Sequence, residues 1–298
     1  MAAVDSGSPL TGVSGNLQRR RRIDTFMRGS STAAAVFAVA ILVIIVVTVV
    51  QQGASQLSIA FLTKNPSVGL GAAGGGIANA IIGTALLVAV ATVMALPIGV
   101  LIAIYLTEFS KPRTARPIRL ALDLLNGMPS IVIGVFVFGL LVVSHGQSGL
   151  AGSFALAIIM VPLLARTTQE MLLLVPRELR DAAHALGVSR WRTIVGIVLP
   201  SALGGILTGM VLAVARAAGE TAPLILTSSI FGTGTSLNVF GTPIPNIPID
   251  IFQYSESGFP SDKARAWGAA LVLIAFILVG NLAARTMLAR QRRKLVSR

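Results

Sequence analysis

Two arginine–glutamate pairs with i, i+4 spacing are the most chemically distinctive residues of this 298-residue sequence. Arg216 and Glu220 lie within one apolar stretch, and Arg166 and Glu170 lie within another. Residues four apart share a helix face, so each pair is within reach of an ion pair. A planar guanidinium can also hold two oxygens of an oxyanion. The second pair has a simpler interpretation as well, since it can be the wet end of a helix.

Arg216 lies in an apolar stretch, where an arginine needs either an ion-pair partner or a function. An arginine at the centre of a membrane helix costs about 2.5–3.5 kcal/mol on insertion scales. Arg216 lies 16 residues after Pro200, roughly 24 Å along a helix, which predicts the outer half of a span. Pro223 cannot donate to the carbonyl of Gly219, so we expect a kink there. We predict that Arg216 faces an anion pathway and that Glu220 releases it in one state, with a structural salt bridge as the alternative.

A short helix is predicted over about 177–187, on a polar loop between two apolar stretches. It starts after Pro176 and ends at Gly187, residue types that suit those positions. Glu178 and Asp181 lie near its positive N-terminal end. Ala182, Ala183 and Leu186 form a small apolar face. A flat alanine face of this kind can seat in the groove of another protein. A helix lying on the membrane surface is the alternative.

Ser130 follows a Gly-Met-Pro sequence in a further apolar stretch. Glycine and proline are expected to bend the helix there. Irregular backbone at membrane depth lines a cavity or packs on protein. We therefore predict that Ser130 lines the same pathway.

The composition decides which elements position these residues. Hydrophobic residues make up 54% of the chain and charged residues 12%, roughly half the charge of a soluble domain. Six apolar stretches reach the ~20 residues that a span needs; they cover about 30–50, 77–106, 120–143, 150–175, 199–230 and 267–288. The sequence predicts an all-α, polytopic membrane protein with about six transmembrane helices. The first stretch is too long for the core of a signal peptide.

Basic residues cluster in alternate loops. They concentrate at 19–28, 111–119, 177–192 and 285–298, which by the positive-inside rule places both termini in the cytoplasm. The net charge of +13 is thereby explained without nucleic acid. The segment at about 231–265 is then external, with a short surface helix expected near Ile249–Tyr254.

Several chemistries are excluded by residue types. The chain has no cysteine and two histidines, which leaves no thiol chemistry and a poor start for a zinc site. Neither H-E-x-x-H nor a G-x-x-x-x-G-K-[ST] phosphate loop occurs. The G-x-G-x-x-G match at 69–74 precedes an apolar helix rather than following a strand, so a flexible outer loop is predicted there. No intrinsic enzyme, metal or cofactor is expected.

The loop after the fourth apolar stretch carries a family resemblance. Asp181-Ala182-Ala183, Gly187, Ile197 and Leu199-Pro200 resemble the EAA loop of ABC-importer permeases, with Asp181 where glutamate is usual. Further segments resemble the PstA subunits of phosphate-specific importers; they are Gly74–Ala80, Gly127–Gly134, Arg166–Glu170, Ala215–Leu224 and Pro248–Phe252. The resemblance covers roughly residues 30–290.

The resemblance implies a type I ABC-importer permease fold in a bacterial plasma (inner) membrane. It implies a second, PstC-like permease subunit, a PstB-like ATPase dimer that binds ATP and Mg, and an external PstS-like phosphate-binding protein. Glu178, Asp181, Ala182, Ala183 and Gly187 would then couple the chain to the ATPase. A permease for another oxyanion or small solute, or less readily an ion-coupled secondary transporter, remains the alternative.

The predicted organisation has four parts. Residues 1–28 form a polar basic cytoplasmic tail, and 29–75 form the first transmembrane helix with an external Gly-rich loop. Residues 76–290 form the permease core, and 291–298 form a basic cytoplasmic tail.

Overall fold

The computed structural model describes residues 14–67, 69, 71, 74–229 and 234–296. Over these ranges all regular structure is helical, apart from one isolated backbone bridge between Pro66 and Gly75. The predicted all-α class is therefore confirmed. Residues 1–13 of the predicted N-terminal tail lie outside the described ranges. The chain divides into two units between Gln51 and Gln52.

The described part of the first unit is most of one long helix, α1 (Ser14–Gly53). This helix begins well before the predicted span at residue 30, because no proline interrupts residues 14–29 and Arg28 forms an i, i+4 ion pair with Asp24 at 2.9 Å. The described part of the predicted polar tail is thus helical.

The second unit contains twelve further helices among the described residues. They are α2 (Ile59–Thr63), α3 (Ala78–Ile104), α4 (Pro112–Gly127), α5 (Ser130–Val137), α6 (Val143–His145), α7 (Gly149–Leu173), α8 (Arg177–Ala185), α9 (Arg190–Thr193), α10 (Leu199–Ala218), α11 (Ala222–Thr227), α12 (Ile247–Glu256) and α13 (Pro260–Val296). Wider π-helical turns follow α3 at Tyr105–Phe109, join α5 to α6 at Phe138–Val142 and join α9 to α10 at Ile194–Val198.

Five helical stretches in the described part of the chain are long and apolar enough to cross a membrane. They are Arg19–Gln56, Ala78–Phe109, Gly149–Leu173, Arg190–Ala218 and Pro260–Leu282. A sixth is a bent pair, α4 followed by the helical stretch Ser130–His145, with an angle of 101° between them. The predicted count of about six spans is confirmed, and the predicted bend lies at Met128-Pro129.

The fifth span differs in extent from the prediction of 199–230. Helix is continuous from Arg190 to Ala218 and stops at Gly219, and α11 starts three residues later. Proline at position 223 lacks the N–H that would continue the helical hydrogen bonds. The expected kink is therefore a complete break that leaves Glu220 outside helix.

The core of the second unit is formed by α3, α7 and α10. Gly99 lies against Leu164 and Gly152 lies near Leu87, so α3 and α7 run parallel. Gly209 faces Thr167 and Gly205 faces Met171, so α10 runs antiparallel to α7. Small residues at these crossings let helix backbones approach closely, as is usual between membrane helices.

The helix predicted near Ile249–Tyr254 is present but is not on the surface. It runs from Ile247 to Glu256, and five of its residues are buried, including Asp250 and Tyr254. Its start is fixed inside the protein, since the Ile247 amide donates to Thr84 Oγ1 at 2.9 Å. The prediction of a surface helix is wrong, because Ile247 and Ile249 give it an apolar face that packs against α3 and α13.

Candidate functional site

Arg216 lies level with the middle of α7. It is seven residues past Gly209, which faces Thr167, so on the antiparallel α7 its level is seven residues before Thr167, at Met160. Met160 is close to the centre of a 25-residue helix. Arg216 is therefore level with the middle of α7, and its place in the outer half of the membrane stays a prediction.

The Arg216 guanidinium is close to Glu220 but is not hydrogen-bonded to it. Arg216 Nε lies 3.6 Å from Glu220 Oε1, and the side chains are 51% and 17% exposed, respectively. Among the described residues no hydrogen-bond acceptor for this guanidinium is found. Glu220 lies in the turn directly after α10, where its amide donates to Ala217 O at 3.2 Å, and this keeps its carboxylate one turn from Arg216. The predicted pair is in contact, and the arginine keeps donors available to another group.

Ser130 is placed on an element that packs beside this break. It is the first residue of α5 and is half-buried. α5 packs against α11, where a Cβ at Gly134 would lie 2.8 Å from Pro223 Cα. Within the described ranges Ser130 forms no hydrogen bond with Arg216 or Glu220. Its role in the pathway stays a prediction.

The predicted pair of Arg166 and Glu170 is wrong. Arg166 Nη2 instead contacts Asp123 Oδ1 on α4. Glu170 is exposed and has no ion-pair partner among the described residues. An acidic residue that follows its basic partner on a regular helix is the weaker i, i+4 order, and α4 packs against α7. Arg166 therefore reaches across to another helix, which the sequence spacing could not indicate.

The predicted short helix is present as α8, at Arg177–Ala185. The amide of Gly187 donates to His184 O and that of Val188 donates to Ala183 O, both at 3.0 Å. Gly187 has a φ of +73°, which favours glycine. The chain thus leaves α8 through a glycine-dependent turn, as the sequence predicts.

The residues predicted to couple α8 to a partner divide between two faces. Glu178, Asp181, Ala182 and Gly187 are exposed, whereas Ala183 is buried at 3%. Leu186 is 83% exposed beside them. Ala183 cannot be part of the docking face as predicted, because its side chain already packs within the chain. The exposed apolar residues of α8 and the turn after it are Leu179, Ala182, Ala185 and Leu186.

A buried ion pair under α8 was missed by the sequence reasoning. Arg180 Nη2 lies 3.0 Å from Glu108 Oε1, with side chains 16% and 8% exposed. These residues also border a cavity of about 370 Å³, lined by Thr107, Glu108, Leu173, Arg177, Arg180, Asp181, His184 and Arg190. Glu108 and Arg180 are 72 positions apart in the sequence, so no local pattern could have paired them.

A second buried polar cluster fixes the Gly-rich loop. Asp262 Oδ2 accepts hydrogen bonds from the Gly71 amide at 2.9 Å and the Ser257 hydroxyl at 2.7 Å. Arg265 donates to Ser67 Oγ at 2.9 Å and to the carbonyl of Gly74. The described part of the loop is therefore held by side chains of α13. In the same region burial raises the pKa of the Asp250 carboxyl to about 7.

The sequence is similar to those of known membrane transport proteins. A model of the family described as "binding-protein-dependent transport system inner membrane component" matches residues 95–296. The phosphate transport system permease protein PstA of Yersinia pestis is 41% identical over 88% of this chain and 88% of its own length. The corresponding protein of Pasteurella multocida is 43% identical over 80% of this chain and 84% of its own. PstA 1 of Mycobacterium tuberculosis is 40% identical over 74% and 73%.

Solved structures agree in fold at lower sequence identity. A chain of the bacterial alginate ABC transporter, in complex with a periplasmic protein bound to alginate pentasaccharide, matches with a TM-score of 0.65 and 15% identity. That match covers 92% of this chain and 97% of the other. A chain of the inward-facing MetNI methionine ABC transporter matches with a TM-score of 0.56 and 18% identity over 72% and 96%. These likenesses show the fold alone.

Proposed function

This chain belongs to the family of binding-protein-dependent transport system inner membrane components, and from that premise we propose that it is the permease subunit of an ATP-driven phosphate importer. It is an integral, multi-pass membrane protein, and its relatives of about 40% identity are phosphate transport permeases. We further propose that it lies in a bacterial inner membrane and forms half of the translocation pathway.

The observation that supports the proposal is that Arg216 is half-exposed and has no hydrogen-bond partner among the described residues. A half-exposed guanidinium at the level of a span's midpoint cannot face lipid without a large cost. Its contact with Glu220 at 3.6 Å is too long for a hydrogen bond. Its remaining donors fit the oxygens of a phosphate ion, which a planar guanidinium can bind in pairs. Arg216 therefore supplies a binding group to the pathway, and Glu220 balances its charge between transport events.

Energy would come from another subunit. Members of this family work with an ATPase and a substrate-binding protein, and the present sequence has no G-x-x-x-x-G-K-[ST] loop. We propose that a PstB-like ATPase dimer, binding ATP and Mg, docks on the exposed face of α8. A PstC-like permease would complete the pathway, and a PstS-like protein would deliver phosphate at the external loops. ATP hydrolysis would then move α8.

Phosphate uptake tests the proposal directly. Cells that lack the gene for this chain should lose high-affinity uptake of radiolabelled phosphate and regain it when the gene is restored. A matched assay with radiolabelled sulfate and molybdate decides between phosphate and the other oxyanions. Uptake of sulfate or molybdate that depends on this gene, with phosphate uptake unaffected, would show a permease for a different solute.

A further inference from the structure

Arg180 connects α8 to the membrane helices. Its guanidinium donates to Glu108 Oε1 from both Nε, at 3.2 Å, and Nη2, at 3.0 Å. Glu108 lies in the π-helical turn that ends the α3 span. We propose that Arg180 is a positioning residue whose ion pair with Glu108 transmits movement of α8 to α3. This inference rests on the proposed function, since it concerns how an ATPase partner drives the pathway.

The same guanidinium also holds the end of α7. Nη2 donates to the carbonyl of Leu172, in the last turn of α7, at 2.9 Å, and Nη1 donates to that of Val175, two residues past the helix, at 2.6 Å. The last carbonyls of a helix have no partner within it and carry partial negative charge. A cation there satisfies them and stabilises the helix end. Arg180 therefore joins three elements: α8, the end of α3 and the end of α7.

The joined helix ends lead to the proposed binding residue through close packing. α3 and α7 run parallel and contact each other along their lengths. α7 packs on α10 at Gly205 and Gly209, where an added Cβ would clash with Met171 and Thr167. Contacts this close leave little room for α10 to stay in place when α7 moves. Movement of α8 would thus reach α10, which carries Arg216, as a displacement of packed helices.

A linking role and a purely structural role predict different measurements. Loss of a structural pair lowers stability and the number of assembled complexes, but each complex that assembles should transport normally. Loss of a linking pair should leave ATP hydrolysis in assembled complexes while fewer phosphate ions are imported per ATP. The ratio of phosphate imported to ATP hydrolysed separates the two roles.

The experiment uses the complete importer, reconstituted in proteoliposomes with its ATPase, second permease and phosphate-loaded binding protein. We expect Glu108→Gln and Arg180→Lys to lower the ratio of phosphate imported to ATP hydrolysed by about tenfold. The matched control is Arg116→Gln, which removes an exposed arginine from α4 and should leave the ratio at the parental value. An unchanged ratio in Glu108→Gln and Arg180→Lys complexes would overturn the proposal.

A second variant covers loss of folding in the single variants. Glu108→Leu combined with Arg180→Met leaves no unpaired buried charge, and apolar replacements of buried pairs commonly keep stability. We expect this double variant to assemble and still show the low ratio; a parental ratio would show that the pair is only structural. If the parental complex itself imports no phosphate, the proposed function fails, which is distinct from failure of the link.

Discussion

At the scale of single residues, Arg216 differs from Arg166, the other arginine predicted within an apolar stretch. Arg166 is satisfied by Asp123 on another helix, whereas Arg216 has only a loose contact with Glu220 among the described residues. The difference follows from backbone geometry, because Glu220 lies just past the end of α10, in a turn where its amide donates to Ala217 O at 3.2 Å. A carboxylate on the turn that follows α10 suits a partner that must exchange with a solute.

Arg216→Gln should remove most phosphate uptake while the protein still assembles with its ATPase. A hydrogen bond to a charged group contributes about 1.5–3 kcal/mol, which corresponds to a loss of roughly 10- to 150-fold. Glu220→Gln should also slow turnover, since the guanidinium would lose its counter-charge in the empty state. Radiolabelled phosphate uptake, normalised to assembled complex, measures both effects.

The double variant Arg216→Gln with Glu220→Gln separates a binding role from a structural one. In a structural pair, each single change leaves a charge unbalanced and the double change restores folding and uptake. In a pathway residue, the double variant folds and still fails to transport. Uptake at the parental rate by the double variant would refute the binding role of Arg216.

Asp250 predicts a pH-dependent stability that the sequence did not indicate. Its pKa in the folded protein is raised to about 7 from 3.8 by burial, so folding takes up a proton between those values. The contribution of this carboxyl to stability is therefore fully present below pH 3.8 and is lost as the pH rises to about 7. Over this pH range the free energy of unfolding falls by on the order of 4 kcal/mol.

Asp250→Asn should remove this dependence, because the amide does not ionise. We expect the variant to have a higher thermal unfolding midpoint than the parent at pH 8 in detergent, and the advantage to shrink towards pH 5. Asp24→Asn, which changes an exposed carboxylate on α1, is the matched control and should show no such trend. A constant difference between the Asp250 variant and the parent across this pH range would contradict the assignment.

At the scale of elements, the exposed face of α8 is the proposed docking face, and its geometry depends on the turn at Gly187. A side chain at φ +73° is strained by about 1–3 kcal/mol, so Gly187→Val should distort the turn that sets the exit from α8. Ala182→Trp should block the exposed face sterically without a change in the buried contacts of Ala183. We expect both variants to insert in the membrane and to lose ATP-driven uptake.

Co-purification with the ATPase subunit checks this expectation. Ala182→Trp should reduce the amount of ATPase recovered with the permease, whereas Ala182→Ser, which keeps the residue small, should not. Normal uptake and normal ATPase recovery in Ala182→Trp would show that the exposed face of α8 is not the docking surface.

The elements could be predicted from the sequence to the extent that they depend on local pattern. Hydropathy located the spans, and Pro176 and Gly187 located α8, because these signals act over a few residues. The partner of Arg166, the burial of Ala183 and the Arg180–Glu108 pair depend on which helices lie side by side. That arrangement is set by packing between distant segments, such as Gly209 against Thr167. The hydrophobic periodicity of one helix does not indicate which other helix packs against it.

At the scale of the whole molecule, the remaining expectation is the orientation of the spans. Clusters of basic residues predict that the α8 end of the helices faces the cytoplasm. The segment that carries α12 would then be external. Its described residues combine an exposed part, at 234–242, with a buried part that packs on α3 and α13. Surface labelling of this segment therefore depends on the residue chosen as well as on the side of the membrane.

Single cysteines can test this orientation without interference, because the chain has no cysteine of its own. Leu237→Cys replaces a side chain that is 69% exposed. The neighbouring Asn238 is less suitable for substitution, because its Oδ1 accepts amide hydrogen bonds from Phe240 and Gly241. We expect an impermeant maleimide to label Leu237→Cys from the external side of intact cells. Ser189→Cys, exposed between α8 and α9, should be labelled only after the membrane is opened.

Ser257→Cys provides the internal control for burial. Sequence alone suggests Ser257 as an accessible external site, yet it is 8% exposed and donates to Asp262 at 2.7 Å. A thiol at this position should therefore react slowly in the folded protein and fully after denaturation. Fast labelling of Ser257→Cys in intact cells would contradict the buried cluster that holds the Gly-rich loop. Labelling of Leu237→Cys only after the membrane is opened would reverse the orientation, and would place the α8 docking face on the side opposite to ATP.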